Sequence, residues 1–189
     1  SYLERREIES AWIQLDSGDR DPATLFFYLR ELVSRSNPEQ ANGLPHLTAE
    51  YAADVPGFAR RCFRKLFDAL GETAALVFDN CQDAVGADFD AILRAAVEET
   101  PPGKCIMIVS RSEIPAAFAR LRVMNLVALI NWQDLRFTTE ESLQLASLRG
   151  IDEVNTVTAI ADRADGWVAG LAAMLASVSA GQQPPAKML

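Results

Sequence analysis

The run ALVFDNCQDAVGADFDAIL, Ala75 to Leu93, holds the strongest structural signal in the chain. Ala75, Leu76, Val77 and Phe78 are apolar and pass straight into Asp79 and Asn80, and an amphipathic segment follows. A short continuous apolar run of this kind is the pattern of a strand covered on both faces. An acid at its tip is either a plain strand terminus or a carboxylate placed to hold a cation. The surrounding sequence has to decide between the two.

Upstream, AWIQLD (Ala11 to Asp16) predicts a short strand ending in an acid, and SGDRDP predicts a turn. Asp21 followed by Pro22 is a helix start, because proline at the first helical position lacks only an N–H that would have no partner there. Leu25, Leu29, Leu32 and Val33 then recur at helical spacing, and NPEQANGLPHL breaks the pattern as a loop. Between Pro56 and Leu70 the apolar stripe Phe58, Cys62, Phe63, Leu66, Phe67 and Leu70 predicts a second helix. Arg60, Arg61, Arg64 and Lys65 lie mostly off that stripe, as a solvated face would.

Downstream, a helix is expected from Asp88 to Glu99, a turn at TPPGK, and a strand at CIMIVS (Cys105 to Ser110) covered on both faces. A short helical piece over 116–122 leads to a fourth apolar strand, LVALI (Leu126 to Ile130). FTTEESLQLASLRG then opens with a capping box, Thr138 with Glu141, and closes at Gly150. Helices over 152–164 and 167–179 follow. Strands alternating with helices predict an α/β fold, a mainly parallel sheet covered by helices, with a C-terminal helical subdomain. The expected division is an α/β core over 1–135, a helical subdomain over 136–180, and a linker or disordered end over 181–189.

Composition narrows the function. The 189 residues are 49% hydrophobic and 23% charged, ordinary for a globular protein. A formal net charge of −8 argues against a non-specific grip on nucleic acid, which relies on clustered Lys and Arg. No apolar run is long enough to span a bilayer, and SYLERREIES has no signal-peptide core. Cys62, Cys81 and Cys105 sit among apolar neighbours, as reduced, buried thiols of a cytoplasmic protein would. His46 is the only histidine, and no two cysteines have a ligand spacing, so the sequence offers little for a Ser–His triad or a zinc site.

Ligands of open parallel sheets gather outside the carboxyl ends of the strands. Three of the expected strands end in polar residues: Asp16, Asp79 and the pair Ser110–Arg111. An apolar strand ending in Asp can hold magnesium through a hard oxygen on a rigid backbone, and an arginine on the neighbouring tip can face a phosphate.

AWIQLDSGDRDPATLFFYLREL, ALVFDNCQD, IMIVSRSEIPAAFARLR and DRADGWVAGL occur in this order. Together they resemble the nucleotide-binding core of large LuxR-type transcriptional activators of the maltose-regulator kind, members of the STAND class of P-loop NTPases. The resemblance runs from Ala11 to Leu175. It implies that Asp79 is the Walker-B magnesium carboxylate and that Arg111, after Ser110, reads the γ-phosphate of ATP. It also implies that Gly166–Trp167 opens a helix of the subdomain that closes over the nucleotide; by spacing alone, Trp167, Leu171 and Leu175 would be core.

Two departures carry consequences. The family's second acid, suited to polarising the attacking water, is replaced by Asn80, which can orient a water but cannot accept its proton. There is also no G-x-x-x-x-G-K-[ST] in the sequence. Gly103–Lys104 is the only Gly-Lys pair, and it precedes a strand where the phosphate loop must precede a helix. In the family that loop and its strand lie upstream of the matching region, so the expectation is a piece of a longer regulator. SYLERREIES would be the end of the helix after the loop, and a strand would be missing between CIMIVS and LVALI. Such a piece would bind ATP poorly alone, and its unpaired edges would favour self-association. The remaining domains of the regulator would be its partners, with no direct DNA contact and no membrane.

Two other readings compete. A nucleotide-free interaction or scaffold module fits Asn80 and the lack of a phosphate loop. A receiver-like domain with Asp79 as phospho-acceptor needs a lysine late in the sheet, which LVALIN does not offer.

Overall fold

The structure, a computed structural model, describes residues 2–72 and 74–180; the linker expected over 181–189 lies outside them. Three strands, β1 (Glu9–Gln14), β2 (Ala74–Asp79) and β3 (Lys104–Ile108), form one parallel sheet in the order β1-β2-β3. In chain order the helices are α1 (Tyr2–Arg5), α2 (Pro22–Ser36), α3 (Pro38–Ala41), α4 (Val55–Ala69), α5 (Ala87–Glu98), α6 (Ala119–Val123), α7 (Trp132–Leu135), α8 (Thr139–Ser147), α9 (Val154–Ala164) and α10 (Val168–Ser179). The α/β class and the parallel sheet are those the sequence predicts. Two compact units are present, one ending at Ala128 and one beginning at Leu129.

The first unit is organised around β2, whose Ala75, Leu76, Val77 and Phe78 have no exposed surface. Residues alternate between faces along a strand. Ile13, Leu15, Leu76, Phe78 and Ile106 therefore share one face and pack with Leu25, Leu29, Phe58, Phe63, Leu66, Phe67, Phe89, Ile92 and Leu93 from α2, α4 and α5. The rings interlock at angles: Phe26 meets Phe58 edge-on at 4.8 Å between centroids, and Phe63 meets Phe78 at 6.4 Å. Edge-to-face pairs of this kind add to the burial of area.

Local sequence sets the helix boundaries. The Asp21 carboxylate accepts the Thr24 N–H at 3.0 Å with Pro22 at the first position of α2, and the Asp54 carboxylate accepts the Gly57 N–H at 2.9 Å ahead of α4. Lys104, at the start of β3, donates its ammonium to Phe67 O and to Leu70 O, the latter at 3.1 Å. It thus satisfies carbonyls left over at the end of α4. The basic residues of α4 are spent on neighbours: Arg60 on Glu98, Arg64 on Glu99, Lys65 on Gly43 O, and Arg61 over the Tyr51 ring.

Three expectations fail, each for a nonlocal reason. Leu126–Ile130 is not a strand: it joins no sheet among the described residues, its Leu126 N–H turns back to Leu121 O at 2.9 Å, and Leu126, Leu129 and Ile130 are 53%, 47% and 70% exposed. An apolar run becomes a strand only where a neighbouring edge is offered to it. Second, β1 ends at Gln14, because Asp16 turns away to cap a short 3₁₀ turn at Ser17–Arg20. Third, CIMIVS is not covered on both faces: Ile106 is half-buried, while Ile108 on the same face and Met107 on the other are both exposed. Cys105 is exposed, against the expectation of a buried thiol, and Met107 and Val109 are 39% and 47% exposed. No helix among the described residues is long and apolar enough to cross a membrane.

In the second unit α8, α9 and α10 enclose Ala146, Val157, Ile160, Ala164, Leu171, Met174 and Leu175. The capping box at Thr138 and Glu141 forms as predicted. In GWVAGL the two glycines have steric duties. Gly166 has φ +79°, and a methyl there would lie 2.6 Å from Arg136 Cβ; its carbonyl accepts the Phe137 N–H at 3.0 Å. A methyl on Gly170 would strike the Trp167 ring. Leu171 and Leu175 are core, as spacing predicts, whereas Trp167 is 44% exposed.

Two outcomes follow from these contacts. Gly166→Ala forces a left-handed backbone on a residue with a Cβ, so it should cost the helical unit about 1–2 kcal/mol, read from hydrogen exchange of α9 and α10 in urea. The Arg64–Glu99 pair bonds twice, at 2.8 and 2.9 Å, and chiefly this hydrogen bonding holds the Glu99 carboxyl below its usual range. A depressed folded-state value contributes stability above the unfolded value and loses it as pH falls through the folded one. Glu99→Gln should therefore flatten the acid limb of a stability–pH curve below the ordinary glutamate range, leaving neutral and alkaline behaviour unchanged in slope.

Candidate functional site

The carboxyl ends of β2 and β3 are joined by a short ladder beyond the strands. The Val109 N–H donates to Phe78 O at 2.8 Å, and the Cys81 N–H donates to Val109 O at 3.1 Å. On the other side the Leu15 N–H donates to Asp79 O at 3.0 Å. Asp79 is therefore fixed at the tip of the central strand, half-buried, with Oδ1 accepting the Asn80 N–H at 2.8 Å. Oδ2 has no hydrogen-bond partner among the described residues.

Asn80 sits in the left-handed region at φ +58°, one of the few conformations that turn a strand end sharply. Asparagine tolerates it better than most residues with a Cβ. The turn sends Cys81 inward, where its thiol contacts Phe78 O at 3.4 Å. Burial, and then the Asp79 charge, push that thiol's pKa up to about 12, so it is inert.

The adjacent tip carries the other sequence candidates. Ser110 and Arg111 follow Val109 and are exposed; Ser110 Oγ accepts the Ser112 N–H at 3.1 Å and shapes the turn. The Arg111 backbone is held by Gln82, whose Oε1 accepts its N–H at 3.1 Å while Nε2 donates to Asp83 Oδ2 at 3.1 Å. The structure thus brings Asp79, Asn80, Ser110 and Arg111 to neighbouring strand ends. Gln82, which the sequence reading passed over, is the side chain that ties the two loops. Its only signal in sequence is a place three residues after the strand-end acid.

Asp16, the third strand-end acid, belongs to a different structure. Its Oδ1 accepts the Gly18 N–H at 2.6 Å, and Asp19 Oδ2 accepts the Asp16 N–H at 2.8 Å. Asp19 is 4% exposed, and its Oδ1 has no protein partner. Arg20 Nε donates to Asp83 O at 3.0 Å, linking this turn to the loop after β2.

No three His, Cys, Asp or Glu side chains among the described residues are gathered as a metal cluster. Magnesium bound with a nucleotide does not need one, since one or two carboxylates, phosphate oxygens and waters complete its octahedron. A shallow cavity of about 160 Å³ lies elsewhere, between α2 and the segment after α3, lined by Phe26, Phe27, Arg30 and His46 among others. It includes none of the strand-end residues.

No protein-family profile matches the chain. It is 24% identical over 159 residues to the HTH-type transcriptional regulator MalT of Vibrio cholerae, and 26% identical over 174 residues to the serine/threonine-protein kinase PknK of Mycobacterium tuberculosis. The MalT of Vibrio parahaemolyticus is 23% identical over 171 residues. These alignments take in 82%, 89% and 82% of this chain but 18%, 15% and 18% of the relatives, so the chain spans less than a fifth of the regulators it resembles.

Gln82→Ala removes the acceptor of the Arg111 amide. The Arg111 amide should then exchange with solvent faster, by tenfold or more if the bond contributes about 1.4 kcal/mol, while amides of β2 keep their protection.

Proposed function

We propose that this chain is the nucleotide-responsive part of a regulatory switch, with ATP and magnesium as the ligand of the β2–β3 strand ends. The observation that carries this reading is Asp79 fixed at the tip of a fully buried strand with Ser110–Arg111 on the adjacent tip. Asp79 suits a magnesium carboxylate: it is half-buried, rigidly placed and retains a free oxygen. Arg111 suits the γ-phosphate, and Asn80 suits a water that it orients without accepting its proton. Bound magnesium would neutralise phosphate charge; no hydrolytic step is assigned to these residues.

The alignments lend support at a coarser level. One relative is named a transcriptional regulator and another a protein kinase, so a segment similar in both is better suited to control than to either output. In this reading the chain is a module of a longer cytoplasmic regulator, the nucleotide-bound state favours self-association, and other domains contact DNA or further partners. A ligand shifts such a switch only by its difference in affinity for the two states.

One observation favours the alternative, a nucleotide-free interaction module. The sequence has no glycine-rich lysine loop, and Lys104, which follows a glycine, is committed to the carbonyls of α4. The described residues therefore fit the magnesium side of a nucleotide site and supply no phosphate cradle.

Calorimetry of magnesium-dependent ATP binding separates the readings. It is applied to this chain and to a longer one with a glycine-rich lysine loop ahead of Ser1. The switch reading expects binding by the longer chain and its loss in Asp79→Ala. Absence of binding by both leaves the interaction module.

A further inference from the structure

The cavity beside α2 is built from one stripe of that helix and one short anchored segment. Ala23, Phe26, Phe27 and Arg30 recur at i, i+3, i+4 and i+7, which puts them on a single face. Pro45, His46 and Leu47 form the other wall. That wall is tied down: Leu44 is 3% exposed, Leu47 packs against the core of the first unit, and Lys65 donates to Gly43 O at 2.8 Å. Arg30 is the unusual member. Among the described residues the other half-buried arginines, Arg60, Arg94 and Arg136, each face a carboxylate, and Arg30 does not. Its Nη1 donates to Leu44 O at 3.5 Å and to His46 Nε2. Both acceptors are uncharged, since an imidazole nitrogen that accepts carries no proton. Nε and Nη2 have no partner among the described residues.

We propose that this cavity binds a small carboxylate carrying one aromatic ring, with Arg30 taking the carboxylate and Phe26, Phe27, Pro45 and Leu47 enclosing the ring. Size sets the ring. A dry apolar cavity of about 150 Å³ holds benzene, so a volume of about 160 Å³ has room for one ring and little more. Chemistry sets the carboxylate. The guanidinium is a planar fork of donors that matches two carboxylate oxygens, and bonds between two charged groups are shorter and stronger than those to a neutral acceptor. A carboxylate therefore displaces His46 Nε2 to advantage, and His46, being exposed, has space to swing aside. In a chain of net charge −8, an anion site needs such a local cation. A bare inorganic anion would satisfy Arg30 but leave the rings and Leu47 wet. The combination of few polar groups and an apolar lining is that of small-molecule sites in general. The proposal uses no residue of the strand ends, so a failure of ATP binding leaves it standing.

Phenylacetate is the probe, because it joins one ring to one carboxylate. His46 is the only histidine of the 189 residues, so its ring resonances identify themselves and report on the cavity directly. The expected result is a saturable shift of those resonances at constant pH, with nuclear Overhauser contacts from the probe's ring to His46 and Phe27. Phenylacetamide keeps the shape without the charge, and acetate and inorganic phosphate keep a charge without the ring. Each should bind about tenfold or more weakly than phenylacetate. Arg30→Gln should weaken phenylacetate by a similar factor while the circular dichroism is unchanged. Arg30→Lys, which keeps the charge but loses the fork, should fall between the two. Absence of saturation by phenylacetate through the millimolar range overturns the proposal. So does phenylacetamide binding as tightly as phenylacetate, since the cavity then reads shape alone. Phosphate binding as tightly overturns it too, because Arg30 is then a general anion contact. Unchanged affinity in a folded Arg30→Gln has the same consequence, and if that variant does not fold, the ligand series decides.

Discussion

The parallel ladder through β2 is the constraint on which both the core and the strand-end site are built. It holds a strand with four consecutive residues of zero exposure, and its only polar member is the terminal Asp79. Burial on both sides keeps the backbone from shifting, and pairing with β1 and β3 fixes the height of the tip. The loop after it is then set by two backbone bonds and the Gln82 side chain. A carboxylate placed this way has little freedom, which a cation ligand requires and a surface acid does not.

What was legible in the sequence is what local chemistry determines. A continuous apolar run gave β2, an apolar stripe gave α4, and capping residues at Asp21 and Thr138 gave the starts of α2 and α8. What was not legible depends on neighbours distant in sequence. Leu126–Ile130 has the composition of a strand, but pairing needs an edge, and composition does not carry one. CIMIVS has the continuous apolarity of a strand covered on both faces, yet it lies at the sheet's margin with Met107 exposed. Asp16 looked like a third strand-end acid and turned out to be half of a capping box with Asp19.

The candidate site shows the same division. Asp79, Asn80, Ser110 and Arg111 were visible because polar residues ending apolar runs stand out. Gln82 was not, since nothing about a glutamine in a loop signals that its amide will hold another loop's backbone. The motif GWVAGL likewise marks a place without explaining it. Its glycines are there because Arg136 and the Trp167 ring occupy the space a side chain would need.

The two apolar clusters have no residue in common. One is built from the sheet with α2, α4 and α5, the other from α8, α9 and α10. A substitution that opens a void in one cluster therefore removes contacts from the elements of that unit, and its cost is read first in the hydrogen exchange of those elements.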